Sequence, residues 1–298
     1  MRALLLATTL LLPGTAMTPS VPTIAARLEP LRLGQLQVWK LQDGRLSLAA
    51  SLLKGLDAAE ARRLLGDRDA ADTPVNAYLV RMPGHTVLVD TGTGKDPEED
   101  SGHLTEQLAA AGVAPSDVDL ILITHEHFDH IGGLLKADGT RAFPRAVLRV
   151  ARREHAFWTE DPSRLPERLR DRAPKLKALF EVYGKAGAFR PFEDGEELAL
   201  GLRALPAHGH TGGHTVYAFT SGGHELWCIG DLIHFGAVQF QRPEVGVAFD
   251  LDGDRAVKVR QDLFREAVHR KVVLAGAHLP QIVRIAPKGA GYEAVPVR

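Results

Sequence analysis

Leu120-Ile121-Leu122-Ile123-Thr124-His125-Glu126-His127-Phe128-Asp129-His130-Ile131-Gly132-Gly133 is the stretch on which the reading of this chain turns. An apolar run of strand type ends at Thr124, and His125, His127, Asp129 and His130 crowd into the next six residues. Neutral imidazole nitrogen and carboxylate oxygen both suit zinc and similar first-row ions. Alternate side chains of an extended chain share a face, so His125 and His127 can address one ion while Glu126 turns away toward solvent. The following turn carries Asp129 and His130 toward a second ion. Gly132 and Gly133 let the backbone bend tightly beside them.

Two ions call for roughly six ligands, and further candidates stand at strand ends downstream. Pro206-Ala207-His208-Gly209-His210-Thr211-Gly212-Gly213-His214 precedes one apolar run, Gly230-Asp231 follows the next, and His278 comes just after the run 272–275. Upstream, Leu88-Val89-Asp90-Thr91-Gly92 closes another strand-like run. His85, His103, His155, His224 and His269 show no convergent spacing and read as ordinary surface or core residues.

Around this constellation the chain looks like a soluble enzyme-sized domain. It has 298 residues, 45% hydrophobic and 24% charged, which excludes disorder, collagen-like repeats and coiled coil. A net charge of −1 gives no electrostatic case for nucleic-acid binding. The single cysteine, Cys228, excludes an intrachain disulfide and a cysteine-based zinc cluster; within Glu225-Leu226-Trp227-Cys228-Ile229 it reads as strand packing. Met1-Arg2 followed by apolar residues to Leu12 and then Pro13-Gly14-Thr15-Ala16 has the form of a secretory signal, residues 1–16, cleaved after Ala16. The run is shorter than the about 20 apolar residues that span a bilayer, so a periplasmic or secreted protein without stable membrane insertion is expected. A lead segment 17–32 precedes one domain, 33–298. Strands are expected at 75–80, 86–89, 120–123, 146–150, 216–219, 226–229, 272–274 and 282–285, and helices at 104–111, 151–158, 164–183 and 254–269. Mixed sheets with helices outside follow, an α+β fold.

The motif set resembles the metallo-β-lactamase superfamily. That resemblance implies a four-layer αββα sandwich holding two divalent ions, zinc being the expected metal. By position, His125, His127 and His210 resemble the ligands of one ion, and Asp129, His130 and His278 those of the other. Asp231 resembles the carboxylate shared by both. Asp90, His208 and His214 are then expected around the ligands rather than on the metals. Ala207-His208-Gly209-His210-Thr211, Gly230-Asp231-Leu232-Ile233, Ala237-Val238-Gln239-Phe240 and Ala277-His278-Leu279 resemble the methyl parathion hydrolase and quorum-quenching lactonase members, from about Leu33 to the C-terminus. A homodimer is implied on the same ground.

The implied activity is an exported dinuclear hydrolase of lactones or aryl esters, with phosphotriesters as further small-molecule substrates. Water activated between the ions would attack, and Asp129 or Asp231 would manage the proton. A carboxylate at Asp231 counts against a class B-type β-lactamase, which stays as one alternative; a non-catalytic metal-binding module of the same fold is the other. His234 stands where acyl-homoserine-lactone lactonases commonly carry tyrosine. Trp158, in Glu154-His155-Ala156-Phe157-Trp158, is the first candidate for a pocket wall, with His234, Phe235 and Phe240 beside it and Phe180 and Tyr183 as weaker candidates. Residues 46–72 are left to shape either the pocket or a dimer contact.

Overall fold

The computed structural model describes residues 27–94 and 100–297. The expected signal 1–16 lies outside the described residues, as does the lead segment as far as residue 26. The first half of the chain runs β1 (Leu31–Leu33), β2 (Leu36–Ala49), β3 (Leu53–Lys54), α1 (Ala58–Leu64), β4 (Ala70–Met82) and β5 (His85–Val89). It continues through α2 (Leu104–Ala110), β6 (Leu120–Leu122), α3 (Phe128–Ile131), β7 (Val147–Arg149), α4 (Arg152–Thr159) and α5 (Arg172–Lys185). The second half begins β8 (Glu197–Ala199), β9 (Leu202–Pro206), β10 (Thr215–Ser221), β11 (His224–Gly230) and α6 (Gly236–Gln239). It closes with β12 (Gly246–Val247), α7 (Gly253–Arg270), β13 (Val273–Gly276), β14 (Val283–Lys288) and β15 (Gly291–Pro296).

Two large sheets result, ordered β1-β2-β4-β5-β6-β7 and β15-β14-β13-β11-β10-β9-β8, with β12 and β3 as a separate pair. Strand alternation sorts their side chains into layers. Val38, Tyr78, Val80, Val87, Val89 and Leu122 of the first sheet meet Tyr217, Phe219, Cys228 and Val273 of the second in a shared core. The opposite face of the first sheet, with Leu41, Leu79, Leu88 and Ile121, packs under Leu108, Trp158, Leu176 and Phe180 from α2, α4 and α5. The outer face of the second, with Val216, Trp227 and Leu274, packs under Phe264 and Ala267 of α7. The order is helix, sheet, sheet, helix, as the motif resemblance implied. Strands buried on both faces lose their polar-out alternation, which is why their sequences read as continuous apolar runs.

The helix expected over 164–183 begins only at Arg172. Pro166 and Pro174 explain the delay, because a proline is accommodated in a first turn but interrupts a helix interior. β2 escaped the sequence reading because Lys40, Gln42, Asp43 and Gly44 break its apolar pattern, and its register against β4 shifts between Gln42 and Gly44. Among the described residues no helix is long and apolar enough to cross a membrane. β5 and β6 pair in parallel in one sheet, as do β11 and β13 in the other. Parallel strands deliver their carboxyl ends to one edge, and there the motif residues gather.

Candidate metal centre

The loop after β6 is held from below by the end of β5. Asp90, at φ +60°, accepts hydrogen bonds from the Thr124 amide and hydroxyl, both at 2.8 Å, and from His130 Nδ1, also at 2.8 Å. Aspartate is one of the few side chains that tolerate this left-handed conformation. The Thr91 amide donates to the His130 carbonyl at 2.7 Å and the Gly132 amide to the Gly92 carbonyl at 2.9 Å. At this approach a Cβ on Gly132 would lie 1.8 Å from the Thr93 carbonyl oxygen, so only glycine fits.

Two sets of side chains converge: His125, His127, His210 and Asp231 in one, Asp129, His130, Asp231 and His278 in the other, with donor atoms within 4.8 Å of one another. Asp231 divides its oxygens between them. Oδ2 lies 3.2 Å from His210 Nε2 and 3.5 Å from His125 Nε2. Oδ1 lies 3.1 Å from His130 Nε2 and 3.2 Å from His278 Nε2. Asp129 Oδ2 completes the second set, 3.4 Å from His278 Nε2 and 3.5 Å from His130 Nε2. Each set takes two side chains from the loop after β6 in the first sheet and two from strand ends of the second.

The donor chemistry fits cations. His130 Nδ1 donates to Asp90, His210 Nδ1 to Asp250 at 2.9 Å and His278 Nδ1 to the Pro74 carbonyl at 3.0 Å. The Thr124 hydroxyl, committed to Asp90, accepts from His125 Nδ1 at 3.1 Å. These contacts fix the tautomers and leave every Nε2 as a lone pair turned inward. His127 Nδ1 joins them, 2.9 Å from His125 Nε2 and 3.0 Å from His210 Nε2. Buried His130 Nε2 and Asp231 Oδ1 have no hydrogen-bond partner among the described residues. Lone pairs facing lone pairs at these distances repel unless positive charge lies between them. Burial pushes the His125 and His127 rings well below the ordinary imidazole range, so both are neutral. For His210 burial acts the same way but hydrogen bonds to Asp231 and Asp250 outweigh it, raising the ring to about 9 without a cation present.

Several supporting residues carried no sequence signal. Asp250 orients His210, as above. Buried Glu154 ties the two ligand-bearing loops together: Oε1 accepts from the Glu126 amide at 3.0 Å and Trp158 Nε1 at 2.7 Å, and Oε2 from the Thr211 hydroxyl and Gly213 amide, each at 2.7 Å. Asp43 accepts from the Thr93 and Leu104 amides at 2.8 and 2.9 Å beneath the same region. A lone acidic residue has no spacing to betray it. His214 was expected near the ligands, and its Nε2 accepts the Asp231 amide at 3.0 Å.

Four expectations need correction. Glu126 is buried, not solvent-facing: turned from the histidines, it enters the helical layer, where His155 Nδ1 bonds it at 2.9 Å and burial pushes its carboxyl up to about 7. Trp158 is fully buried and forms no pocket wall; its ring meets His127 edge-on at 5.6 Å and braces that ligand candidate. Phe180 and Tyr183 are likewise buried in that layer. His208 lies off the centre, held by Asp194 at 3.2 Å and by Arg255 at 2.9 Å. Phe235 and Phe240 flank α6, whose Gln239 accepts the His234 and Phe235 amides, and they line a cleft of about 550 Å³ that shares His234 and His278 with the centre. The centre also opens into a cavity of about 300 Å³ walled by Leu46, Leu48, Phe128, Leu169 and Phe249, with His234 and Arg172 on its lining. Of the region 46–72, Leu46 and Leu48 thus shape the pocket.

Comparison with known proteins places the fold and the family. The solved structure of AbOPH, described as a hydrolase in the beta lactamase superfamily, is 28% identical, with a TM-score of 0.86 over 93% of this chain and 99% of that one. AidC, a dizinc quorum-quenching lactonase solved with a product, is 27% identical, with a TM-score of 0.83 over 92% of this chain and 98% of its own. Among curated proteins, a ribonuclease of Thermus thermophilus is 31% identical over 55% of this chain and 36% of its own length. Metallo-beta-lactamase domain-containing protein 1 of Mus musculus is 36% identical over 45% of each. The chain therefore spans less than half of these curated relatives. A family model, the metallo-beta-lactamase superfamily, matches residues 70–278, and with the layered fold and the histidine–aspartate centre at its strand ends the chain belongs to that superfamily.

Proposed function

We propose that this chain is a dinuclear metal-dependent hydrolase of lactones and aryl esters, with phosphotriester hydrolysis as a second activity of the same site. The observation that carries it is the division of Asp231, whose two oxygens address different histidine sets. His125, His127, His210 and Asp231 would hold one divalent ion and Asp129, His130, Asp231 and His278 the other. When bound, such a pair supplies an acidified water and an electrophile for a carbonyl or phosphoryl oxygen. The chain's own residues do the rest. Leu46, Leu48, Phe128, Leu169 and Phe249 receive the apolar part of the substrate and exclude water from it. His234, with Nε2 on Asp231 Oδ2 at 2.9 Å, holds that shared carboxylate in place. Asp129, the more exposed carboxylate of the two sets, lines the cavity and would accept the proton released by the attacking water and pass it to the departing oxygen. AidC and its lactonase activity support the lactone arm of this reading, and the resemblance of 207–211 and 230–233 to methyl parathion hydrolase supports the phosphotriester arm.

A zinc-replete panel tests it: dihydrocoumarin, an acyl-homoserine lactone, an aryl acetate, an aryl phosphotriester and a cephalosporin. Turnover of the lactones and the aryl ester with two ions per chain is expected. One ion per chain with no turnover would replace the proposal by a metal-binding module, and preference for the cephalosporin by a β-lactamase. Export with cleavage after Ala16 and a homodimer belong to the same proposal, checked by the N-terminus of the purified periplasmic protein and by light scattering.

A further inference from the structure

Next to His210 lies an internal space of about 10 Å³ whose lining includes His210, His214, Asp231, Asp250 and Arg260. A volume of that size holds about one water, and a polar lining of this kind keeps it hydrated. Arg260, from the buried face of α7, is only 2% exposed. Its Nε donates to the Pro243 carbonyl at 3.0 Å and Nη1 to the Leu232 carbonyl at 3.2 Å, the residue next to Asp231. Nη2 is buried and has no hydrogen-bond partner among the described residues. A guanidinium withdrawn from water requires an acceptor for each donor face. Asp250, whose Oδ1 accepts from His210 Nδ1 at 2.9 Å, lines the same space. Burial lowers Arg260 to about 10 against the pull of Asp250 and Glu244, so it stays cationic at neutral pH.

We propose that Arg260 is a positioning residue of the metal centre, donating from Nη2 to a single enclosed water that in turn donates to Asp250 and keeps that carboxylate against His210. The inference rests on the metal-centre reading above. It makes α7, far from the motif loops in sequence, part of what sets metal affinity. Loss of a partner one step behind a ligand weakens metal binding by about 10–100-fold.

The test is a double-variant cycle read by zinc affinity of the full chain, through competition with a chromophoric chelator, with melts of the metal-free proteins alongside. Asp250→Asn is expected to weaken binding about 10-fold or more and Arg260→Met about 10-fold. The double variant is expected to be no weaker than Asp250→Asn, since Arg260 acts through Asp250. Arg260→Lys, which keeps a cation at similar reach, is expected to restore most of the affinity. Packing alone would lower the melting temperature of the Met and Lys variants alike and leave zinc affinity unmoved. Wild-type affinity in Arg260→Met, or a loss that multiplies with that of Asp250→Asn, overturns the proposal. Should Arg260→Met fail to fold, Arg260→Gln takes its place in the cycle with the same outcomes. A wild-type chain that binds no zinc would remove the metal-centre reading itself, a result distinct from either.

Discussion

Replacing Glu154 by alanine removes one buried carboxylate and four hydrogen bonds, three of which join the loop of His125 and His127 to the turn of His210 while the fourth comes from Trp158 on the same helix. A hydrogen bond to a charged group contributes about 1.5–3 kcal/mol, so four taken singly would come to about 6–12 kcal/mol. They share one carboxylate, however, and its removal also recovers the desolvation it suffers at 0% exposure. The net loss expected is about 3–5 kcal/mol, the range seen when one partner of a buried charged contact is deleted. Glu154→Gln should lose about half as much, because the carboxamide keeps one acceptor oxygen and turns its NH2 toward two donors. Urea unfolding of the metal-free protein reads the stability term, and zinc competition on the same samples reads the centre, where about a 10-fold loss is expected as the two loops part. A loss below about 1 kcal/mol in Glu154→Ala, with zinc binding unchanged, would refute the assignment of Glu154 as the tie between the loops.

Three further outcomes follow from the same geometry. Asp231→Ala should reduce bound metal from two ions to at most one and abolish turnover, checked by elemental analysis and the substrate panel; retained activity contradicts the shared-carboxylate assignment. Glu126, pushed from 4.5 up to about 7 by burial, favours the folded state below pH 4.5 and loses that contribution as pH rises through 7. On the order of 3 kcal/mol is involved, and metal-free Glu126→Gln should unfold with a stability that changes less between pH 5 and 8 than the wild type's. Gly132→Ala places a methyl 1.8 Å from the Thr93 carbonyl oxygen and should destabilise by at least about 3 kcal/mol in a thermal or urea melt.

The histidine–aspartate pattern was legible because ligation imposes spacing: side chains that share an ion must leave a strand end together, and 125–130 shows that directly. Glu126 was misread by the same rule. Alternation turned it from the histidines, but the far side of this loop is covered by α4 and His155 rather than by water. Trp158 was misread because an aromatic near a site can face substrate or brace a ligand, and only the packing of α4 chooses between them. Glu154, Asp250 and Arg260 were invisible for a different reason. Each acts singly, through contacts across 57, 40 and 28 residues of chain, and leaves no local pattern. The pocket wall shows the same limit: Leu46 and Leu48 lie on a strand hidden by a polar bulge.

Neither sheet owns a complete set of donors, and the halves that meet at the centre are far apart in the chain, His127 and His210 being separated by 83 residues. An ion seated there would rivet the two halves of the sandwich much as a covalent cross-link does, tying the edge of one sheet to the edge of the other. Parting the layers would then mean giving up the ions, so the metal-bound form should melt well above the metal-free one, by a margin that grows with the concentration of free metal.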